Sequence, residues 1–167
     1  VNIQDEDGKS ALMYASHRGY EDIVNTLIVA GANVNIKNET GETALIIASK
    51  NRHGRIVDIL IRAGAYLNVK DKSNNTALQF ALINMSQDII DSLIKARAVI
   101  DIHDDEGKKF LIHASENGYE PIVNSLIQAG VDLNKIDEHG KTALMNAFKN
   151  GHESIIESLI QAGAELD

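Results

Sequence analysis

The chain has 167 residues, 44% apolar and 24% charged, a balance that fits a folded protein and argues against disorder. Sixteen basic against 24 acidic residues leave a net charge of −8, which disfavours non-specific nucleic-acid binding; the absence of cysteine excludes disulfides, thiolate zinc sites and a cysteine nucleophile. No apolar run is long enough to span a bilayer, and Asp5, Glu6 and Asp7 stand where a leader would need basic and apolar stretches, so neither membrane insertion nor a signal peptide is expected.

In chain order, Ser10 is the first helix start: its hydroxyl can accept from a free N–H of a first turn, and the predicted helix runs about nine residues to Arg18. A second helix is predicted from near Asp22 to near Ala30, with Ile23-Val24 and Leu27-Ile28 on one face. Gly31 then allows the left-handed conformation that ends many helices. A polar stretch of about a dozen residues follows, read as a β-turn or short hairpin around Gly41. The same pattern then repeats. Leu12 recurs as Leu45, Leu78, Leu111 and Leu144, each 33 residues on, and Ala15 as Ala48, Ala81, Ala114 and Ala147. Thr43, Thr76 and Thr142 take the place of Ser10; Gly64, Gly130 and Gly163 that of Gly31; and Gly8, Gly41, Asn74, Gly107 and Gly140 mark the turns. Helices this short are marginal alone, so each unit must bury its apolar face against its neighbours in a solenoid.

These residues resemble the ankyrin repeat, whose motif runs D-x-x-G-x-T-P-L-H-x-A-x-x-x-G-H, then I-V-x-L-L, then G-A-x-x-N. The fifth unit matches it with Asp137, Gly140, Thr142, Leu144, Ala147, Gly151-His152, Ile155-Ile156, Leu159-Ile160 and Gly163-Ala164. The resemblance covers the whole chain. It implies an all-α solenoid of antiparallel helix pairs with projecting turns, in units 5–37, 38–70, 71–103, 104–136 and 137–167, behind a tail of a preceding repeat at 1–4. Val1–Gln4 match Val34–Lys37, so a window cut from a longer array is expected. The family's Pro is replaced by Ala11, Ala44, Ala77, Phe110 and Ala143. Its His is replaced by Met13, Ile46, Gln79, Ile112 and Met145, so apolar packing should stand in for the usual Thr–His hydrogen bond. The third unit departs most, with Asn74, Met85 and Arg97 where glycine is usual, and is expected to be distorted or looser than its neighbours. In the fourth, Lys109-Phe110 removes the hydroxyl cap.

Other motifs have plainer readings. Gly8-Lys9-Ser10 and Gly140-Lys141-Thr142 look like ends of a phosphate-binding loop, but Ile3 and Lys135 stand where its first Gly is required. His113 and Glu116 have a metal-compatible i, i+3 spacing, with no second such pair to complete a site. His17, His53, His103, His139 and His152 are read as structural or surface residues, and carboxylates such as Asp104-Asp105-Glu106 as solvated turn acids. Asn38, Asn74 and Asn84 begin formal glycosylation sequons, read as chance occurrences. Asn35, Asn68 and Asn134 fit the hairpin Asn that some ankyrin proteins have hydroxylated, although turn geometry alone explains them. No catalytic set and no cofactor site emerges.

The resemblance places partner binding on the turn tips and the inner face of the first helices, a concave surface. By position, the tips give Glu6, Asp7, Lys9, Glu39, Thr40, Glu42, Lys72, Asp105, Glu106, His139 and Lys141, together with Ser73, Asn75, Lys108 and Glu138. The first helices give Tyr14, Ile47, Phe80, His113 and Asn146 in one row, then His17, Lys50, Ile83, Glu116 and Lys149 in the next. Tyr14, Ile47 and Phe80 are either protein-binding anchors or packing between adjacent first helices. The formal charges of the units are −2, +2, −1, −3 and −4, so the acidic units would favour a basic partner segment. A non-enzymatic protein-binding module is expected, with a protein partner offering a basic or apolar segment and a cytoplasmic or nuclear location. The alternative is the targeting or regulatory arm of a larger enzyme, channel or secreted effector.

Overall fold

The computed structural model describes residues 1–99 and 105–165, with backbone alone at 105–108. Ten α-helices lie within them: α1 (Ala11–Arg18), α2 (Glu21–Val29), α3 (Ala44–Lys50), α4 (Gly54–Arg62), α5 (Ala77–Ile83), α6 (Gln87–Lys95), α7 (Asp105–Glu116), α8 (Glu120–Gln128), α9 (Ala143–Asn150) and α10 (Glu153–Gln161). The described residues contain no strand, only an isolated bridge between Gln4 and Ser10.

The hydroxyl caps act as the sequence requires. Ser10, Thr43, Thr76 and Thr142 hold extended backbone and accept from the amides of Met13, Ile46, Gln79 and Met145 at 3.2–3.4 Å. Each satisfies an N–H that the first turn leaves without an intrahelical partner. At Thr76 the bond is reciprocal, because Gln79 Oε1 accepts from the Thr76 amide at 2.7 Å. The His-to-Gln change in the third unit therefore keeps a polar cap, where apolar packing was expected to replace it. Met13, Ile46 and Ile112 are buried as that expectation requires, whereas Met145 is 39% exposed and does not pack in its place.

The fourth unit corrects the sequence reading more deeply. Gly107 lies inside α7, which begins at Asp105, so Asp105 and Glu106 open a helix and do not form a turn tip. Lys109 stands at the position that Ser10, Thr43, Thr76 and Thr142 use to start their helices, and without an N-cap the helix continues toward its N-terminus.

The chain falls into two compact units, Val1–Val99 and Ile100–Asp167. In the first, α1, α3 and α5 pack side by side, α4 packs against both α2 and α6, and each first helix packs on its own second helix. In the second, α7 packs on α9 and α8 on α10 in the same way. The core of the first unit is the periodic set: Leu12, Leu45 and Leu78 on the first helices, and Val24, Ile56, Val57, Leu60, Ile89, Ile90 and Leu93 on the second. Leu111, Ile122, Val123, Leu126, Leu144, Ile155 and Leu159 do the same in the second. Small side chains at Ala48, Ala81, Ala114 and Ala147 are fully buried and let the helices approach.

Polar side chains tie each repeat to the next. Asn35 Oδ1 accepts from the Tyr66 amide at 2.7 Å while its Nδ2 donates to the Gly64 carbonyl at 3.2 Å. Asn2, Asn68 and Asn134 accept from the amides of Asn33, Val99 and Glu165 in the same register. These asparagines do more than shape their own turns. They satisfy backbone groups of the following repeat that no helix or sheet can reach. The His53 ring lies over Gly19 of the preceding repeat, with Nε2 3.1 Å from the His17 carbonyl, and a Cβ at Gly19 would come within 2.8 Å of it. His152 sits likewise, 3.1 Å from the Glu116 carbonyl.

The two helices of the third unit, expected to be distorted or looser, are complete among the described residues. Both its helices are as long as those of the second unit, α5 matching α3 and α6 matching α4. Its departures are held in the backbone instead: Asn74, Met85 and Arg97 take φ of 68°, 49° and 67°. Arg52 does the same at 62° in the second unit, at the position Met85 holds in the third.

Candidate functional site

Among the described residues, four turn tips are each organised by one Asp or Asn side chain, a role the sequence reading did not reveal. Asp5 Oδ1 accepts from the amides of Asp7 and Lys9, at 3.0 and 2.8 Å. Asn38 does so for Thr40 and Glu42, Asp71 for Ser73 and Asn75, and Asp137 for His139 and Lys141. The signal was present in the sequence as an Asp or Asn three residues before each turn Gly or Asn. It fixes the tip from within, the Asx-turn geometry that Asp and Asn side chains favour. Neighbouring tips are also bonded to each other: the Glu39 amide donates to the Asp7 carbonyl at 3.0 Å and the Lys72 amide to the Thr40 carbonyl at 2.8 Å.

From these tips, side chains reach onto the first helices of the N-terminal unit. Tyr14 donates its hydroxyl to Asp5 Oδ2 at 2.6 Å, and Lys9 Nζ, paired with Asp7 at 3.2 Å, stands 5.9 Å from the Tyr14 ring centroid. The Tyr14 phenol and the Lys9 amide hold the Asp5 carboxyl below its usual range. The same hydrogen bond raises the Tyr14 phenol, and Asp7 raises the Lys9 ammonium. One repeat on, Lys50 donates to Glu42 at 2.9 Å and lies 5.4 Å from the Phe80 ring centroid in the following repeat. Burial pushes the Glu42 carboxyl up, but hydrogen bonds from Lys50, Asn38 and Thr40 outweigh it and leave it lowered. Cation–π contacts of this kind hold a lysine stem flat against an aromatic face.

The candidate residues fare unequally. Glu6, Asp7, Glu39, Thr40 and Lys72 are exposed at the tips, and His17, Lys50 and Ile83 on the helices. Tyr14 is 49% and Ile83 51% exposed, Phe80 is half-buried, and Ile47 is buried at 6%. The packing alternative thus holds for Ile47, which has almost no surface to offer. In the C-terminal unit His113, Glu116, His139 and Lys149 are exposed and Lys141 is half-buried. Asn146 is buried at 3%, its amide donating to the Thr142 carbonyl. The side chains of Asp105, Glu106 and Lys108 lie outside the described residues, as does His103. Asp137 has its carboxyl lowered by the amides of Lys141 and His139. Among the described residues, no three His, Asp or Glu side chains converge as a metal site would require. Ser10 of the loop-like Gly8-Lys9-Ser10 is buried as the α1 cap.

The family model for ankyrin repeats in three copies matches residues 12–104 and again 86–167. The chain belongs to the ankyrin-repeat family. Among curated proteins, no relative matches it. Ankyrin repeats are generally protein–protein interaction modules, and the family is typically non-enzymatic. No described helix is long and apolar enough to cross a membrane.

Proposed function

We propose that this ankyrin chain is a non-enzymatic interaction module whose protein partner rests on the concave face made by the turn tips and first helices. One observation carries the reading: tip and helix side chains of the N-terminal unit form two clusters, and backbone bonds between neighbouring tips join them in one row. Lys9 lies over Tyr14, and Lys50 reaches from Glu42 across to Phe80 in the next repeat. On that surface Tyr14 and Ile83 stand out among polar neighbours, the composition of an interface anchor. Aromatic and aliphatic side chains held in place before binding lose little entropy when a partner covers them.

The test is substitution against a captured protein partner. Tyr14→Ala and Ile83→Ala should each weaken binding by about fivefold or more, the range of an interface anchor. Val29→Ala on α2, 89% exposed, should leave it unchanged. A partner insensitive to the first two and weakened by the third would place binding on the other side of the stack.

A further inference from the structure

We propose that the N-terminal unit selects an extended segment of defined direction, with a basic residue over the first two repeats and an aliphatic or aromatic residue over the third. This rests on the interaction reading above and adds the chemistry and polarity of the ligand.

The charge pattern comes first. Lys9 is paired with Asp7, and Lys50 with Glu42. The side chains of Glu6, Glu39 and Lys72 make no hydrogen bond or ion pair among the described residues, and all three residues are exposed. Asp5 and Asp71 accept only amide and phenol hydrogen bonds, so along the row the tips run acidic, acidic and neutral, with Asp71 offsetting Lys72. The row is held in register by the backbone bonds from Glu39 to Asp7 and from Lys72 to Thr40. A charge gradient in a fixed order imposes a direction on a ligand, because the reverse order gives up the attraction to the acidic tips.

The apolar pattern has the same polarity. In the outer helix row the residues are His17, Lys50 and Ile83, so an exposed apolar side chain occurs only in the third repeat. Half-buried Phe80 lies one turn before Ile83 on α5. The middle of the inner row is closed because Ile47 is buried. At the other end the Tyr14 ring already carries Lys9 and its hydroxyl is tied to Asp5, so a basic ligand residue is received by the exposed carboxylates of Glu6 and Glu39 beside it. Two repeat steps of about 10 Å separate the ends, if neighbouring helices keep ordinary packing distances. An extended chain covers that span in about six residues at roughly 3.3 Å each.

A random peptide library displayed against the whole chain tests this. The expected consensus is a basic residue and an apolar residue about six positions apart, in one order. A synthetic peptide of that order should bind at least about tenfold more tightly than its reversed-order counterpart, a difference of about 1.4 kcal/mol. Glu6→Lys with Glu39→Lys should cost about the same factor, and the loss should shrink in high salt, where exposed charges are screened. Circular dichroism of that variant should be unchanged, since neither carboxylate supports the fold. Ligands that lose affinity with Tyr14→Ala and Ile83→Ala yet bind equally well in both orders would overturn the proposal and leave the interaction reading standing. Ligands indifferent to every substitution on this face would overturn both.

Discussion

Replacing Arg97 by glycine should stabilise the protein. Arg97 follows the end of α6 with φ of 67°, its amide donating to the Ile94 carbonyl at 2.9 Å. A side chain in that left-handed conformation costs about 1–2 kcal/mol, which glycine avoids. Glycine also gives the unfolded chain more freedom, which offsets about 0.4–1 kcal/mol. Arg97 is exposed and its side chain makes no bond among the described residues, so no packing is lost. The net gain is about 0.5–1 kcal/mol, or roughly 1–4 °C in Tm for a chain of this length. Gly64 holds the same position in the second unit at φ of 83°, with nothing within 4 Å of where its Cβ would be. Gly64→Ala should therefore lose about what Arg97→Gly gains. Urea unfolding of both variants is the assay, with amide exchange to show that added protection falls on α5 and α6. A destabilised Arg97→Gly, or a neutral Gly64→Ala, would refute the assignment of strain to these backbone positions.

Further outcomes follow from the contacts between repeats and within the tips. Asn35→Ala removes two bonds to the next repeat and strands the Tyr66 amide, so it should cost about 1–3 kcal/mol in urea unfolding. Asn35→Asp, which keeps the acceptor, should recover part of that loss. Gly19→Ala brings a Cβ to 2.8 Å from the His53 ring at φ of 76° and should cost at least about 1–2 kcal/mol, again by urea unfolding. The carboxyls of Asp5, Glu42 and Asp137 are all lowered in the folded state. Their contribution is therefore present above the ordinary carboxylate range and is lost as pH falls through their lowered folded values. The urea midpoint should drop with acid, and Asp5→Asn should flatten that drop while keeping the tip, because Asn38 performs the same role in the second repeat.

The repeat and its helices were legible because they rest on local chemistry. A hydroxyl before an apolar run starts a helix, a 3.6-residue apolar period buries one face, and a glycine allows the reversal that ends it. The tip-organising Asp5, Asn38, Asp71 and Asp137 were written in the same period, but an acid in a turn also reads as simple solvation, and Asn38 as a chance sequon. What the sequence could not show depended on competition or on three-dimensional contact. Gly107 looked like its turn counterparts, and only the missing cap at Lys109 let α7 run through it. Ile47 looked like Tyr14 and Phe80, and burial between neighbouring first helices separated them. The third unit looked weak from its missing glycines, yet its helices keep their full length because three side-chain-bearing residues accept left-handed backbone. The tie of Asn35 to Tyr66 spans one whole repeat, a distance that local pattern does not reveal.

The central claim is that a partner rests on the tips and first helices. Amide hydrogen exchange of the chain with and without a bound protein or selected peptide tests it most directly. The expected result is added protection at 5–9, 38–42 and 71–75 and along α1, α3 and α5, with α2, α4 and α6 unchanged. Protection confined to α2, α4 and α6 would contradict it.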